Sequence, residues 1–145
     1  MIVIASDHAG VDLKARLIEL IGEAGHEIRD LGPADTSSVD YPDFAHAVAE
    51  AITTGEAERG ILICGTGIGM SLTANHHTGV RAALCHDAFT AEMARRHNDA
   101  NVLCIGARST GPGVAKQMVP IFLETPFEGG RHQRRVEKIE IERED

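Results

Sequence analysis

Gly60-Ile61-Leu62-Ile63-Cys64-Gly65-Thr66-Gly67-Ile68-Gly69-Met70-Ser71 is the stretch from which the fold can be read. Ile61 to Cys64 shows no polar alternation, the pattern of a strand covered on both faces and therefore buried in a parallel sheet. The alternating glycines at 65, 67 and 69 then turn the chain into a helix that is expected to run through Asn75. A buried strand, a glycine-rich turn and a helix together form the repeating unit of an α/β fold.

The same alternation extends in both directions. Ile2 to Ala5 reads as a first strand ending in Ser6-Asp7-His8-Ala9-Gly10, followed by a helical stripe of Val11, Leu13, Leu17, Ile18, Leu20 and Ile21 that stops at Ala24-Gly25. His26 to Leu31 reads as a second strand and Gly32 to Ser38 as a loop. Pro42 then suits the first turn of a helix that buries Phe44, Ala45, Val48, Ala49 and Ile52. Downstream, Val80 to Cys85 is a fourth strand, Asp87 to His97 a helix, Val102 to Ile105 a fifth strand, and Val114 to Leu123 a last sheet-packing helix. The expectation is a single α/β domain over 1–145: three layers, with a five-stranded parallel sheet covered by helices on both faces. Residues 126–145 form a C-terminal tail: Gly129-Gly130, then a charged helical segment in which only Val136, Ile139 and Ile141 are apolar; it is either solvated or an arm packing on a second subunit.

Composition narrows the function. The chain has 145 residues, 43% hydrophobic and 25% charged, with a formal net charge of −8. An acidic chain with four Phe, one Tyr and no Trp is poorly suited to nucleic acid or anionic membrane. No apolar stretch approaches bilayer-spanning length. Met1 to Asp7 reads as a strand starting at once and not as a signal peptide, so a cytoplasmic protein is expected. Cys64, Cys85 and Cys104 contain no C-x-x-C pair, and the eight histidines include no H-E-x-x-H, so neither a disulfide framework nor a metal is expected. His76-His77 reads as a polar loop.

Ligands of parallel sheets bind beyond the carboxyl ends of the strands. Those ends carry Ser6-Asp7-His8, Cys64-Gly65-Thr66, Cys85-His86-Asp87 and Gly106-Ala107-Arg108. The glycine-rich turn after Cys64 can converge backbone N–H groups on an anion. It is not G-x-G-x-x-G, because position 70 is Met; it lacks the Lys of a Walker loop, and Met70 stands where a cysteine phosphatase has Arg. What remains is a cysteine beside an anion cradle, a setting that favours a thiolate acting as base or nucleophile. Cys64 could instead be a small buried hydrophobe, which is how Cys85 and Cys104 are read; the adjacent glycines favour a functional role for Cys64.

Two further groups are candidates. Arg131 and Arg135 in Gly129-Gly130-Arg131-His132-Gln133-Arg134-Arg135 are four apart and share a helix face, which suits a phosphate monoester. The alternative is a solvated face paired with Glu137, Glu140 and Glu142. Arg95-Arg96-His97-Asn98-Asp99 ends a helix, expected near the strand rim, where His97 is either a general acid or a residue complementing the helix dipole. With no nicotinamide, flavin or metal motif, the inventory fits cofactor-free proton transfer beside a carbonyl on a small phosphorylated substrate.

Five segments in order, Asp7-His8-Ala9-Gly10, Asp40-Tyr41-Pro42, Cys64 to Ser71, His97 to Leu103 and Gly129 to Val136, resemble the ribose-5-phosphate isomerases of type B. These belong to a sugar-phosphate isomerase family that includes galactose-6-phosphate isomerase subunits. The resemblance implies a Rossmann-like fold and a homodimer or dimer of dimers with active sites shared between subunits. It implies interconversion of D-ribose 5-phosphate and D-ribulose 5-phosphate through an enediolate, as in the pentose phosphate pathway. By motif position, Cys64 is then the base, and the amides from Gly65 to Gly69, including Gly67 and Ile68, form an oxyanion hole near Ser71. Asp7 contacts and shuttles protons among the sugar oxygens, and His97 with Thr66 assists ring opening. His8, Arg108, Arg131 and Arg135 hold the phosphate; Tyr41 and Asn98 line the sugar pocket; the tail arginines and His97 come from the partner. Relatives with Ser at this cysteine take their base from a downstream carboxylate, and Asn75-His76-His77-Thr78-Gly79 departs from the usual Asn-Lys. The competing expectations are an isomerase of tetrose or hexose phosphates and a non-catalytic phosphate-sugar binding module.

Overall fold

The computed structural model describes residues 1–141; residues 142–145, with Glu142 of the alternative, solvated-face reading of the tail arginines, lie outside the described residues. β1 (Ile2–Ser6), β2 (Ile28–Asp30), β3 (Arg59–Cys64), β4 (Ala82–Leu84) and β5 (Val102–Gly106) form one sheet in the order β2-β1-β3-β5-β4. Every pairing is parallel. The connections are a 3-10 turn (His8–Gly10) leading into α1 (Val11–Glu23), then α2 (Tyr41–Thr53), α3 (Ile68–Ala74), α4 (Ala88–Arg96), α5 (Pro112–Glu124) and α6 (Arg131–Glu137).

Alternation within the central strands divides the core. Ile61, Ile63, Leu103 and Ile105 face Leu13, Leu17 and Ile21 of α1, Ala91 of α4 and Phe122 of α5. Leu62, Cys64, Val102 and Cys104 face Val48 and Ala49 of α2 and Met70 and Ala74 of α3. Both faces are covered, which is why β3 and β5 read as unbroken apolar runs. Among the described residues, no helix is long and apolar enough to cross a membrane.

The outer strands are shorter than the sequence suggests, for an identifiable reason. β2 and β4 are edges with one neighbour each, and at the start of β4 the backbone bonds to side chains in place of a second strand. Arg81 N–H donates to Asn101 Oδ1 at 2.8 Å, while Asn75 both donates to the Ala82 carbonyl (2.9 Å) and accepts its N–H (2.8 Å). That side-chain mimic of a strand partner accompanies the end of α3 at Ala74, one residue early. α5 begins at Pro112, the first-turn position proline favours. α6 ends at Glu137, so Ile139 and Ile141 lie beyond the helix and exposed, a shorter helical tail than expected.

β1 leads to β2 on one side and lies against β3 on the other, so the crevice at their carboxyl ends is a topological switch point. The end of α4 is elsewhere, which corrects the expectation that residues 95–99 lie near that rim. A crossover helix runs back against its strands and ends at their amino edge. Arg81 Nε, just before β4, donates to the Asp99 carbonyl at 2.8 Å, and Gly60 N–H at the start of β3 donates to the Asn101 carbonyl at 2.9 Å.

Candidate active site

β1, β3 and β5 extend their ladders past the last strand residues, and this brings the rim residues together. Ser6 is in register with Ile63, and the next N–H, of Asp7, donates to the Ile63 carbonyl at 3.0 Å, which sets Asp7 beside Cys64. Asp7 is only 8% exposed; its Oδ1 accepts the Ala9 N–H at 2.9 Å and caps the 3-10 turn. Cys64 is in register with Gly106, after which Ala107 N–H donates to the Cys64 carbonyl (2.8 Å) and Arg108 N–H to the Gly65 carbonyl (2.9 Å). Arg108 therefore flanks the turn: a Cβ added to Gly65 would lie 3.6 Å from its Nη1.

The turn itself is built around sulfur. Gly67 N–H donates to Cys64 Sγ at 3.1 Å, which aims a backbone donor at the sulfur. Gly67 has φ 79°, and an added Cβ would sit 2.5 Å from Leu84 Cδ1, so both conformation and space require glycine. At Gly69 the neighbour is the Tyr41 ring, 2.6 Å from an added Cβ. Tyr41, half-exposed at the start of α2, thus lies across the cradle, where only the family resemblance had placed it. Thr66 Oγ1 accepts the Ile68 N–H at 3.3 Å, and Ser71 Oγ donates to the Ile68 carbonyl at 2.7 Å. His8 Nδ1 accepts the Val39 N–H at 3.3 Å.

The remaining candidates form a second cluster at the other edge. His97 caps α4 and stacks on His132 of α6, with centroids 4.2 Å apart and planes at 11°. Glu128 lies 3.9 Å from His97 Nε2 and 3.7 Å from His132 Nε2, and its N–H donates to the Arg96 carbonyl at 3.0 Å, tying the tail to α4. Burial, reinforced by neighbouring His97 and Arg131, holds the His132 imidazole below its ordinary value. Arg131 and Arg135 are exposed and have no carboxylate partner among the described residues; Glu137 bonds Gln133 and Glu140 accepts the Gly79 N–H. The alternative reading, in which these arginines pair with Glu137 or Glu140, is therefore not found among the described residues. His97, Asn98, His132 and Arg135 line a cavity of about 320 Å³.

One chain thus brings together Asp7, His8, Tyr41, the Cys64–Ser71 turn and Arg108, and separately His97, Asn98, Arg131 and Arg135. Strand rise alone puts the two edges of β5 about 13 Å apart. A larger cavity, about 490 Å³, lies beside the His97 cavity at this edge, between the loop after α3 and the tail; the two share Asn98 and Ile139, and Asn98 is its one candidate residue. Glu128 and His132 were missed as site residues, because their i,i+4 spacing is interrupted by Gly129-Gly130 and hides their approach to His97. His97, Glu128 and His132 also place three donor atoms within 4.8 Å, the one such group among the described residues. Their near-parallel rings differ from the convergent imidazoles of a tetrahedral ion.

A family model described as Ribose/Galactose Isomerase matches residues 2–139. The ribose-5-phosphate isomerase B of Escherichia coli is 44% identical over 138 residues, 95% of this chain and 93% of that protein. The D-erythrulose-4-phosphate isomerase of Pectobacterium atrosepticum is 43% identical over 140 residues, 95% of this chain and 91% of that protein. The solved ribose-5-phosphate isomerase B of Clostridium thermocellum superposes with a TM-score of 0.93 at 48% identity, covering 95% of this chain and 93% of its own.

Proposed function

The chain belongs to the ribose/galactose isomerase family, and from that premise we propose that it interconverts D-ribose 5-phosphate and D-ribulose 5-phosphate with Cys64 as the base. The observation that supports this most is the Cys64 sulfur at the switch point, receiving the Gly67 N–H and flanked by Asp7 and Arg108.

The thiolate of Cys64 takes the proton from C2 of the open-chain aldose, leaving an enediolate across C1 and C2. Amides of the turn from Gly65 to Gly69 stabilise the negative oxygen, and Asp7 moves the hydroxyl proton from O2 to O1. The proton on sulfur then returns to C1, giving the ketose. The electron pair stays within the sugar, so no redox carrier takes part. His97 and Thr66 assist ring opening, Tyr41 and Asn98 border the sugar, and Ser71 closes the first turn of α3 beneath it. His8, Arg108, Arg131 and Arg135 bind the phosphate. Because His97, Asn98 and the tail arginines lie at the opposite edge from Cys64, this reading needs a homodimer or dimer of dimers in which the tail of one subunit completes the site of another. Arg135 lines a cavity, and neither it nor Arg131 has a carboxylate partner among the described residues, which supports that arrangement.

The test is turnover of D-ribose 5-phosphate by purified protein in D2O without added metal, with Cys64→Ala as control. Wild-type protein should form ketose and incorporate solvent deuterium, and the variant should lose about 10³-fold in kcat, the scale of a general base, while still binding substrate. Activity of Cys64→Ala within a few-fold of wild type would remove the assigned base. A second reading, isomerisation of a four- or six-carbon aldose phosphate, is favoured by the near-equal identity to the erythrulose-phosphate relative. Comparing kcat/KM across chain lengths separates the two. Binding without proton exchange on any of them would leave a binding module.

A further inference from the structure

α1 carries an anomaly within its apolar stripe. Lys14 is 2% exposed, between the buried Leu13 and the core residue Leu17, where a lysine is found only when its ammonium is fully engaged. Its Nζ donates to Asp30 Oδ1 at 2.7 Å and to the Pro33 carbonyl at 2.6 Å. The same Asp30 oxygen accepts the Gly32 N–H at 2.8 Å, and the Gly32 carbonyl accepts the Ser6 N–H at 3.1 Å, one residue before Asp7. Lys14 therefore gathers the end of β2 and the start of the loop that follows it onto the end of β1.

That loop, residues 31–40, has no regular structure and is exposed along most of its length. At its far end Val39 N–H donates to His8 Nδ1 at 3.3 Å. A ring nitrogen that accepts an N–H carries no proton itself, so this bond selects the neutral tautomer with hydrogen on Nε2. The Nε2–H of that tautomer is a hydrogen-bond donor suited to a phosphate oxygen.

We propose that Lys14 is a positioning residue for the phosphate end of the site: from α1 it fixes the 31–40 loop so that Val39 holds His8 as its Nε2–H tautomer. This rests on the reading of His8 as a phosphate ligand. Losing a contact made equally to substrate and transition state raises KM and leaves kcat in place. Loss of general stability lowers the fraction of active protein and leaves the KM of the remainder unchanged.

The experiment compares wild type, Lys14→Met and Lys14→Arg by steady-state kinetics with D-ribose 5-phosphate, by inhibition with inorganic phosphate, and by ¹⁵N NMR of the His8 ring. For Lys14→Met, KM and the phosphate inhibition constant should rise about tenfold, with kcat within about twofold, and the His8 nitrogens should shift toward mixed tautomers. Lys14→Arg, which keeps donors toward Asp30 and Pro33, should recover most of both effects. If Lys14→Met does not fold, Lys14→Met/Asp30→Asn removes the carboxylate charge left without its ammonium, keeps an acceptor for the Gly32 N–H, and keeps the proposal testable. Unchanged KM together with an unchanged His8 spectrum in a folded variant overturns the proposal. If wild-type protein itself turns over no ribose 5-phosphate, the functional reading fails, while the His8 spectrum still decides whether Lys14 sets the tautomer.

Discussion

Cys64, Cys85 and Cys104 are all buried in or beside one sheet, yet their surroundings differ in kind. Burial pushes the Cys85 thiol up to about 11, against a smaller opposing effect of its Thr90 hydrogen bond, and complete burial in β5 raises Cys104 further. At pH 8 a thiol of pKa about 11 is thiolate roughly once in a thousand molecules. Cys64 alone of the three receives a backbone N–H from the glycine turn at its sulfur. Iodoacetamide at pH 8 should therefore alkylate one cysteine in the native protein, Cys64, and leave Cys64→Ala protein unlabelled. Equal labelling of Cys85 would contradict this separation. The distinction was legible in the sequence because only Cys64 is followed by alternating glycines. Tyr41 was not legible from its own surroundings: nothing near residue 41 signals that its ring will cover Gly69, since that approach depends on how α2 packs against α3.

At the scale of elements, β3 and β5 were readable because burial on both faces leaves an unbroken apolar run. The edge strand β4 satisfies its start with the side chains of Asn75 and Asn101, which no periodicity records. The end of α4 was misplaced for a different reason. Residues 95–99 look like rim chemistry by composition, but the crossover carries them to the opposite edge, where they dock α6 through the stacked pair His97 and His132. That docking has a pH signature. The His132 pKa is lowered in the folded chain, chiefly by burial, so the unfolded state binds more protons in the window between the folded and unfolded values. Stability from this group is therefore present above the ordinary histidine pKa and is lost as pH falls through the lowered one. Between pH 7.5 and 5.5 the Tm of wild-type protein should fall by more than that of His132→Gln, with differential scanning calorimetry as the readout. Parallel curves would show that His132 is as readily protonated folded as unfolded.

At the scale of the molecule, a single chain holds two sets of chemically matched groups on opposite edges of its sheet. One is a sulfur, a carboxylate and an amide turn; the other is a histidine, an asparagine and two arginines without acidic partners among the described residues. Alternation of strands and helices revealed the sheet, but strand order, and with it the separation of the two sets, depends on which strands pair across long stretches of chain. The account's central claim is that the two sets meet between subunits to isomerise a sugar phosphate. Mixing Cys64→Ala with Arg131→Ala protein tests it directly, with subunit exchange verified by native mass spectrometry. Each variant alone should be nearly inactive toward D-ribose 5-phosphate. The exchanged mixture should recover about a quarter of wild-type activity, because half of randomly formed dimers are mixed and each mixed dimer has one intact site of two. No recovery after complete exchange would mean that Cys64 and Arg131 do not act in one shared site.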